Sequence, residues 1–245
     1  MAVWIVTGGT RGLGAGLVEE LLALNAQVAF CARSAKDVHA AEQRWGANVL
    51  GVIGSLADPS FVARLVSLTV HRFGGLDGIA ANAAVLGSPP LSEVTALDPS
   101  QLAQILEANL LGNLRLIAAS HSHLVQSVSP RVLAITSDAA HAAYPEWSGY
   151  ALSKAALEVL VETYGAEHPV VSTYILDPGD MDTALHAEAL PHDPTPLRAP
   201  REVASAAAPL LHGARRQSGR YRLAPNGAGI LALEEVTLRV APVSS

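Results

Sequence analysis

Short runs of β-branched and aromatic residues alternate along this chain with longer segments whose apolar residues recur every three or four positions, and that alternation restricts the fold more than any other feature. Val3–Val6, Val28–Cys31, Val49–Ile53, Leu76–Ala80, Val132–Thr136, Val170–Ile175 and Arg220–Leu223 read as seven strands. Between them Gly12–Leu24, Ser34–Trp45, Pro59–Phe73, Pro99–Val125, Ser148–Glu167 and Arg201–Leu211 read as helices. Strands joined through helices lie parallel in a sheet covered on both faces. The expectation is a doubly wound α/β sheet of about seven strands, and 245 residues suit a single domain over 1–245.

Punctuation agrees with the periodicity. Asp58-Pro59, Asp98-Pro99 and Pro200 read as helix starts, the aspartates capping free N–H groups and the prolines occupying the first turn. Leu190 to Pro200 holds four prolines and no regular pattern. Long irregular loops in compact domains are usually functional, so a substrate loop is expected near 183–200.

Composition removes several function classes. No apolar run approaches the roughly eighteen residues that a membrane span requires. A net charge of −6 with scattered Lys and Arg gives no basic face for nucleic-acid phosphates. Cys31 is the only cysteine, which excludes an intrachain disulfide and a cysteine-rich zinc site. Together with an N-terminus that enters Val3-Trp4-Ile5-Val6 at once, this predicts a cytoplasmic protein without an export signal.

Chemistry enters at Thr7-Gly8-Gly9-Thr10-Arg11-Gly12-Leu13-Gly14, between the first strand and the first helix. Glycines there let the backbone approach a pyrophosphate, and the helix N-terminus offers free N–H groups and partial positive charge. A tight turn would read the same in isolation; its place in an opening β–α unit favours a dinucleotide. The second strand ends Cys31-Ala32-Arg33-Ser34, with no acid to hold a ribose 2′-hydroxyl. Arg33 and Arg11 could instead bind a 2′-phosphate, so NADP(H) is expected over NAD(H).

Tyr150 and Lys154 are four residues apart at the start of a helix, so both project from one face. An ammonium beside a phenol favours the phenolate, and such a tyrosine can give a proton to a carbonyl oxygen or take it back. The pair alone is common by chance. The ordered set Thr7–Gly14, Asn82-Ala83-Ala84, Asn109, Ser137, Tyr150 with Lys154, and Pro178-Gly179 with Thr183 is not. In it the chain resembles the short-chain dehydrogenase/reductase family from about Val3 to Thr183.

That resemblance implies a Rossmann-type fold and an NADP-dependent carbonyl reductase or alcohol dehydrogenase. It implies that Ser137, thirteen residues before Tyr150, polarises the substrate carbonyl. Lys154 would hold the nicotinamide ribose, Asn109 would position a relay water through an irregularity in its helix, and Thr183 would meet the carboxamide. The implied cofactor contacts are Thr7, Gly8, Thr10, Arg11, Gly12, Leu13, Gly14, Arg33, Ser34, Ser55, Leu56, Asn82, Ala83, Tyr150, Lys154, Pro178, Gly179, Met181 and Thr183. A homo-oligomer, tetramer or dimer, would form through the helices carrying Asn109 and Tyr150. Glu167-His168-Pro169 and Asp177–Thr183 resemble segments of sepiapterin-reductase-like carbonyl reductases.

The sequence departs from the family pattern at Ala81 and Ala84, where asparagine and glycine are usual, and at Ser55, where an acid often meets the adenine. Asp58 reads as a helix cap. His121 and His123 alternate on a helix and point apart, so no metal is expected. Asp177, Asp180 and Asp182 flank a Pro-Gly turn and read as local caps. His186 and His192 read as exposed loop histidines, with contact to substrate as the alternative, and Tyr144, Pro145 and Trp147 as a wall of an apolar pocket or a packed turn. A catalytically silent dinucleotide-binding regulator is the alternative function; intact Ser137, Tyr150 and Lys154 argue against it. An α/β-hydrolase would need a Gly-x-Ser-x-Gly elbow, which the chain lacks.

Overall fold

Backbone pairing follows the predicted alternation closely. The computed structural model describes residues 1–226 and 231–236. In chain order the elements are β1 (Val3–Thr7), α1 (Gly12–Ala23), β2 (Gln27–Ala32), α2 (Ala35–Trp45), β3 (Val49–Ile53), α3 (Pro59–Phe73), β4 (Gly78–Ala81) and α4 (Pro99–Leu106). There follow α5 (Gly112–Leu124), β5 (Arg131–Ile135), α6 (Ser148–Glu167), β6 (Ser172–Asp177), α7 (Ala184–Ala189), α8 (Pro200–Leu211), β7 (Gly219–Pro225) and β8 (Leu231–Val236). The expected domain over 1–245 runs through 227–230 and 237–245, which lie outside the described residues.

The described strands form one sheet in the order β3-β2-β1-β4-β5-β6-β7-β8. All neighbours are parallel except β7 and β8, which pair antiparallel. This makes eight strands rather than about seven. The additional one, Leu231–Val236, carries Glu234 and Glu235 at the sheet edge, so its composition hides it from a search for apolar runs.

Side-chain alternation gives the sheet two apolar faces. On β1, Trp4 and Val6 join Leu13, Leu17 and Leu21 of α1 and Val203, Ala207 and Leu210 of α8 in one core. Val3 and Ile5 face the other way, into a core with Phe61 and Leu65 of α3, Leu116 of α5 and Leu157 and Val161 of α6. Asp58 and Asp98 cap α3 and α4 through the N–H groups of Ser60 and Ser100, as their sequence contexts predict.

The chain winds outward from β1 to β3, then crosses back to place β4 on the other side of β1. At this reversal the loops after β1 and β4 diverge and open a crevice at the C-terminal ends of the strands, the usual ligand position in such sheets.

Candidate active site

A cleft of about 1610 Å³ lies over that reversal, larger than a site for one drug-sized molecule requires. The glycine loop forms one rim. Gly8 has φ of 67° and Gly12 φ of 55°, the left-handed region that glycine adopts without strain. A Cβ on Gly14 would stand 2.1 Å from the Gly8 carbonyl oxygen, so the loop closes against α1 only because Gly14 has no side chain. Thr7 and Asn82 brace it: the Thr7 hydroxyl accepts from the N–H groups of Asn82 and Ala83, and Asn82 Nδ2 donates to the Thr7 carbonyl at 2.9 Å.

Of the residues predicted to hold a cofactor, Gly8, Thr10, Arg11, Gly12, Leu13, Arg33, Ser34, Ser55, Leu56, Asn82 and Ala83 line the cleft from its loop end. Pro178, Gly179, Met181 and Thr183 line it from the opposite side. Thr7 and Gly14 are buried and do not line it. Ser34 and Thr183 cap α2 and α7, accepting from the N–H groups of Asp37 and His186. Arg11 and Arg33 are exposed and their guanidinium groups have no partner among the described residues. Asp37, an acid in the first turn of α2 outside the motifs that mark the site in sequence, lines the same end.

Tyr150 and Lys154 sit on the first turns of α6 and line the cleft floor, at 6% and 2% exposure. Lys154 Nζ lies 5.5 Å from the centre of the Tyr150 ring and donates to the Ile135 carbonyl at 2.7 Å. Burial pushes the Lys154 ammonium down to about 8, with Glu158 opposing. The Tyr150 hydroxyl is held above the ordinary phenol range by burial first, then by the carboxylates of Asp177 and Asp138. The sequence expectation of a phenol drawn down by Lys154 is not met in this geometry, because desolvation and two acids act in the opposite direction.

Ser137, two residues past the end of β5, caps a short 3-10 turn and lines the same floor. Its hydroxyl donates to Asp138 Oδ1 at 2.9 Å and accepts from the Ala139 N–H. Asn109 lies in a π-helical turn, Glu107–Leu111, between α4 and α5, which is the irregularity expected of its helix. It is fully buried and does not line the cleft. Its Oδ1 accepts from the Val85 N–H, and its Nδ2 donates to the Val85 carbonyl and to Ser153 Oγ, both at 2.9 Å. The Asn109 side chain thereby ties the loop after β4 to α6.

Apolar walls meet above Tyr150. Trp147 stands edge-on to it with ring centres 5.8 Å apart, and Leu86, Leu185 and Ala189 complete the chamber. His186 is not the exposed histidine expected: its side chain is 10% exposed, with Nε2 3.0 Å from Asp193. Tyr144 is half-exposed and donates to Asp138 Oδ2, outside the chamber. Asp177 caps the Pro-Gly turn by accepting from the Gly179 N–H, as predicted, but also pairs with the buried Arg220. His121 packs on Tyr164 and His168 at the far ends of α5 and α6.

A model of the short chain dehydrogenase family matches residues 2–194. The chain belongs to the short-chain dehydrogenase family. Its relatives include an uncharacterised oxidoreductase of Saccharomyces cerevisiae, 28% identical over 185 residues, which are 75% of this chain and 72% of that protein. The L-fucose dehydrogenase of Oryctolagus cuniculus is 30% identical over 206 residues, 83% of this chain and 71% of the relative. Among solved structures, an alcohol dehydrogenase from the archaeon Thermococcus sibiricus complexed with 5-hydroxy-NADP superposes with a TM-score of 0.80 at 27% identity. That match covers 91% of this chain and 96% of the other. Membership makes the chain an oxidoreductase of this family with a small-molecule substrate. No helix among the described residues is long and apolar enough to cross a membrane.

Proposed function

We propose that this oxidoreductase is NADP(H)-dependent and moves hydride between the nicotinamide and a small carbonyl or alcohol, with Tyr150 as general acid and base. The observation that carries the reading is the burial of Tyr150 and Lys154 side by side in the floor of the cleft whose rim is the glycine loop. The alcohol dehydrogenase named with 5-hydroxy-NADP supports the cofactor class.

The residues fit a dinucleotide. The side-chain-free approach of Gly8 and Gly14 and the N-terminus of α1 suit a pyrophosphate, while Arg11 and Arg33 offer unpaired cations for a 2′-phosphate. When bound, the nicotinamide supplies or accepts the hydride. Tyr150 gives its proton to the substrate oxygen during reduction and receives it during oxidation. Ser137 turns its hydroxyl from Asp138 to the same oxygen. Lys154 holds positive charge beneath both, and Asn109 keeps the loop after β4 in register with α6.

Thr183 and the segment to about residue 200 act as the substrate loop of a single domain, tied by the Met181–Arg198 bridge and the His186–Asp193 pair. Copies of the chain associate through the helices carrying Asn109 and Tyr150, and a single buried cysteine with no disulfide partner suits a reducing cytoplasm.

Steady-state oxidation of NADPH against a panel of ketones and aldehydes tests the reading; tight cofactor binding with no oxidation of any member would favour the silent regulator. Replacement of Arg33 by Ala should weaken NADPH by about tenfold, the loss of one charge-assisted contact, and leave NADH unchanged. Equal losses for both cofactors would remove the basis of the NADP preference.

A further inference from the structure

Behind the floor lies a cluster of buried charges that the reaction above does not use. Glu158 and Arg220 have side chains only 4% and 7% exposed, and Arg220 Nε donates to Glu158 Oε1 at 3.3 Å. Arg220 Nη2 donates to Asp177 Oδ2 at 3.2 Å and reaches the Ser137 carbonyl at 3.5 Å. Glu158 Oε1 also accepts from the Thr136 hydroxyl at 2.5 Å, and Oε2 lies 2.6 Å from His141 Nε2.

This node holds the Ser137 segment at three points: the Thr136 side chain, the Ser137 carbonyl and the His141 ring. Through Asp177 it also reaches the turn after β6, because Asp177 Oδ1 accepts from the Gly179 N–H at 3.1 Å. Pro178-Gly179 leads into Met181 and Thr183, the opposite wall of the cleft. One guanidinium therefore links the backbone of Ser137, the residue proposed to meet the substrate, to the Asp177 carboxylate that caps the Pro178-Gly179 turn. Buried ions gain little stability over apolar side chains of similar size, whereas a planar fork with fixed acceptors defines geometry well.

We propose that Arg220 is a positioning residue, fixed by Glu158, that sets the Ser137 backbone and the Pro178-Gly179 turn at a mutual spacing competent for hydride transfer. The proposal rests on the oxidoreductase reading above. Its test is the double replacement Glu158→Leu with Arg220→Met, which removes the Glu158–Arg220 pair, keeps roughly the volume and leaves Asp177 without its guanidinium, alongside Arg220→Lys, which keeps the charge and loses the fork. The expected result for both is a kcat lowered by about tenfold or more with NADPH affinity, from nicotinamide fluorescence, changed much less. Hydrogen–deuterium exchange should quicken together in residues 137–141 and 178–183.

Wild-type kcat in a folded double variant would overturn the proposal, and so would exchange that quickens in neither segment. If the double variant does not fold, Arg220→Lys decides by the same criteria. Should the wild-type chain leave NADPH unoxidised with every carbonyl of the panel, the reaction assignment fails; the exchange experiment still decides whether Arg220 couples the two segments.

Discussion

Lys154 combines a chemical need for charge with a location that disfavours it. Its folded value of about 8 lies below the 10.5 of an unfolded chain, so below about pH 8 both states are protonated and the buried ammonium costs stability in full. As pH rises from 8 to 10.5 the folded state releases the proton first, the unfolded state binds more protons, and stability rises. Relative to Lys154→Met, which cannot titrate, the wild-type chain should gain about 3 kcal/mol across that window, read from urea unfolding at several pH values. A flat difference would show that the amine is not desolvated. At this scale much of the site was legible: the spacing of Tyr150, Lys154 and Ser137 and the absence of an acid in Cys31–Ser34 at the end of β2 are local facts of sequence, whereas Asp37 in the first turn of α2 comes to the cleft only with the fold. Glu158 with Arg220 was not, because a helix and a strand 62 residues apart meet only in the folded sheet. Nor was the turn of the Ser137 hydroxyl toward Asp138, which depends on a rotamer.

The glycine loop and the interrupted helix between α4 and α5 show how elements shape the cleft. Gly14→Ala would drive a Cβ into the Gly8 carbonyl and the Asn82 amide, and neither backbone nor brace can withdraw without opening the loop. The expected outcome is a loss of about 1–3 kcal/mol in urea unfolding together with loss of NADPH binding by fluorescence titration; unchanged binding would contradict the cradle. Helix starts were readable wherever a capping aspartate precedes proline. The π turn was expected only through family likeness, since Pro99–Val125 has continuous helical periodicity. The six residues of α7 are too few to display a period, and proline-rich sequence after them reads as loop.

The whole molecule presents a parallel sheet that periodicity foretold and an order that it did not, because every permutation of buried strands carries the same apolar pattern. The surface adds a further pattern. Leu114 of α5 and Leu152 and Val159 of α6 are 43%, 53% and 62% exposed, the last two separated by seven residues and so on one helix face. Such apolar exposure fits the proposed association of copies through these helices. Val159→Glu should lower the mass measured by light scattering to that of one chain, with helical circular dichroism retained; an unchanged mass would place the interface elsewhere.

Proton transfer by a single phenol underlies all of this. The direct measurement is the turnover of Tyr150→Phe with NADPH and a carbonyl accepted by the wild-type chain, paired with NADPH titration of both proteins. Removal of one hydroxyl should lower kcat by about 10²–10⁴-fold and leave cofactor affinity as it was. Turnover at the wild-type rate in that variant would contradict the mechanism.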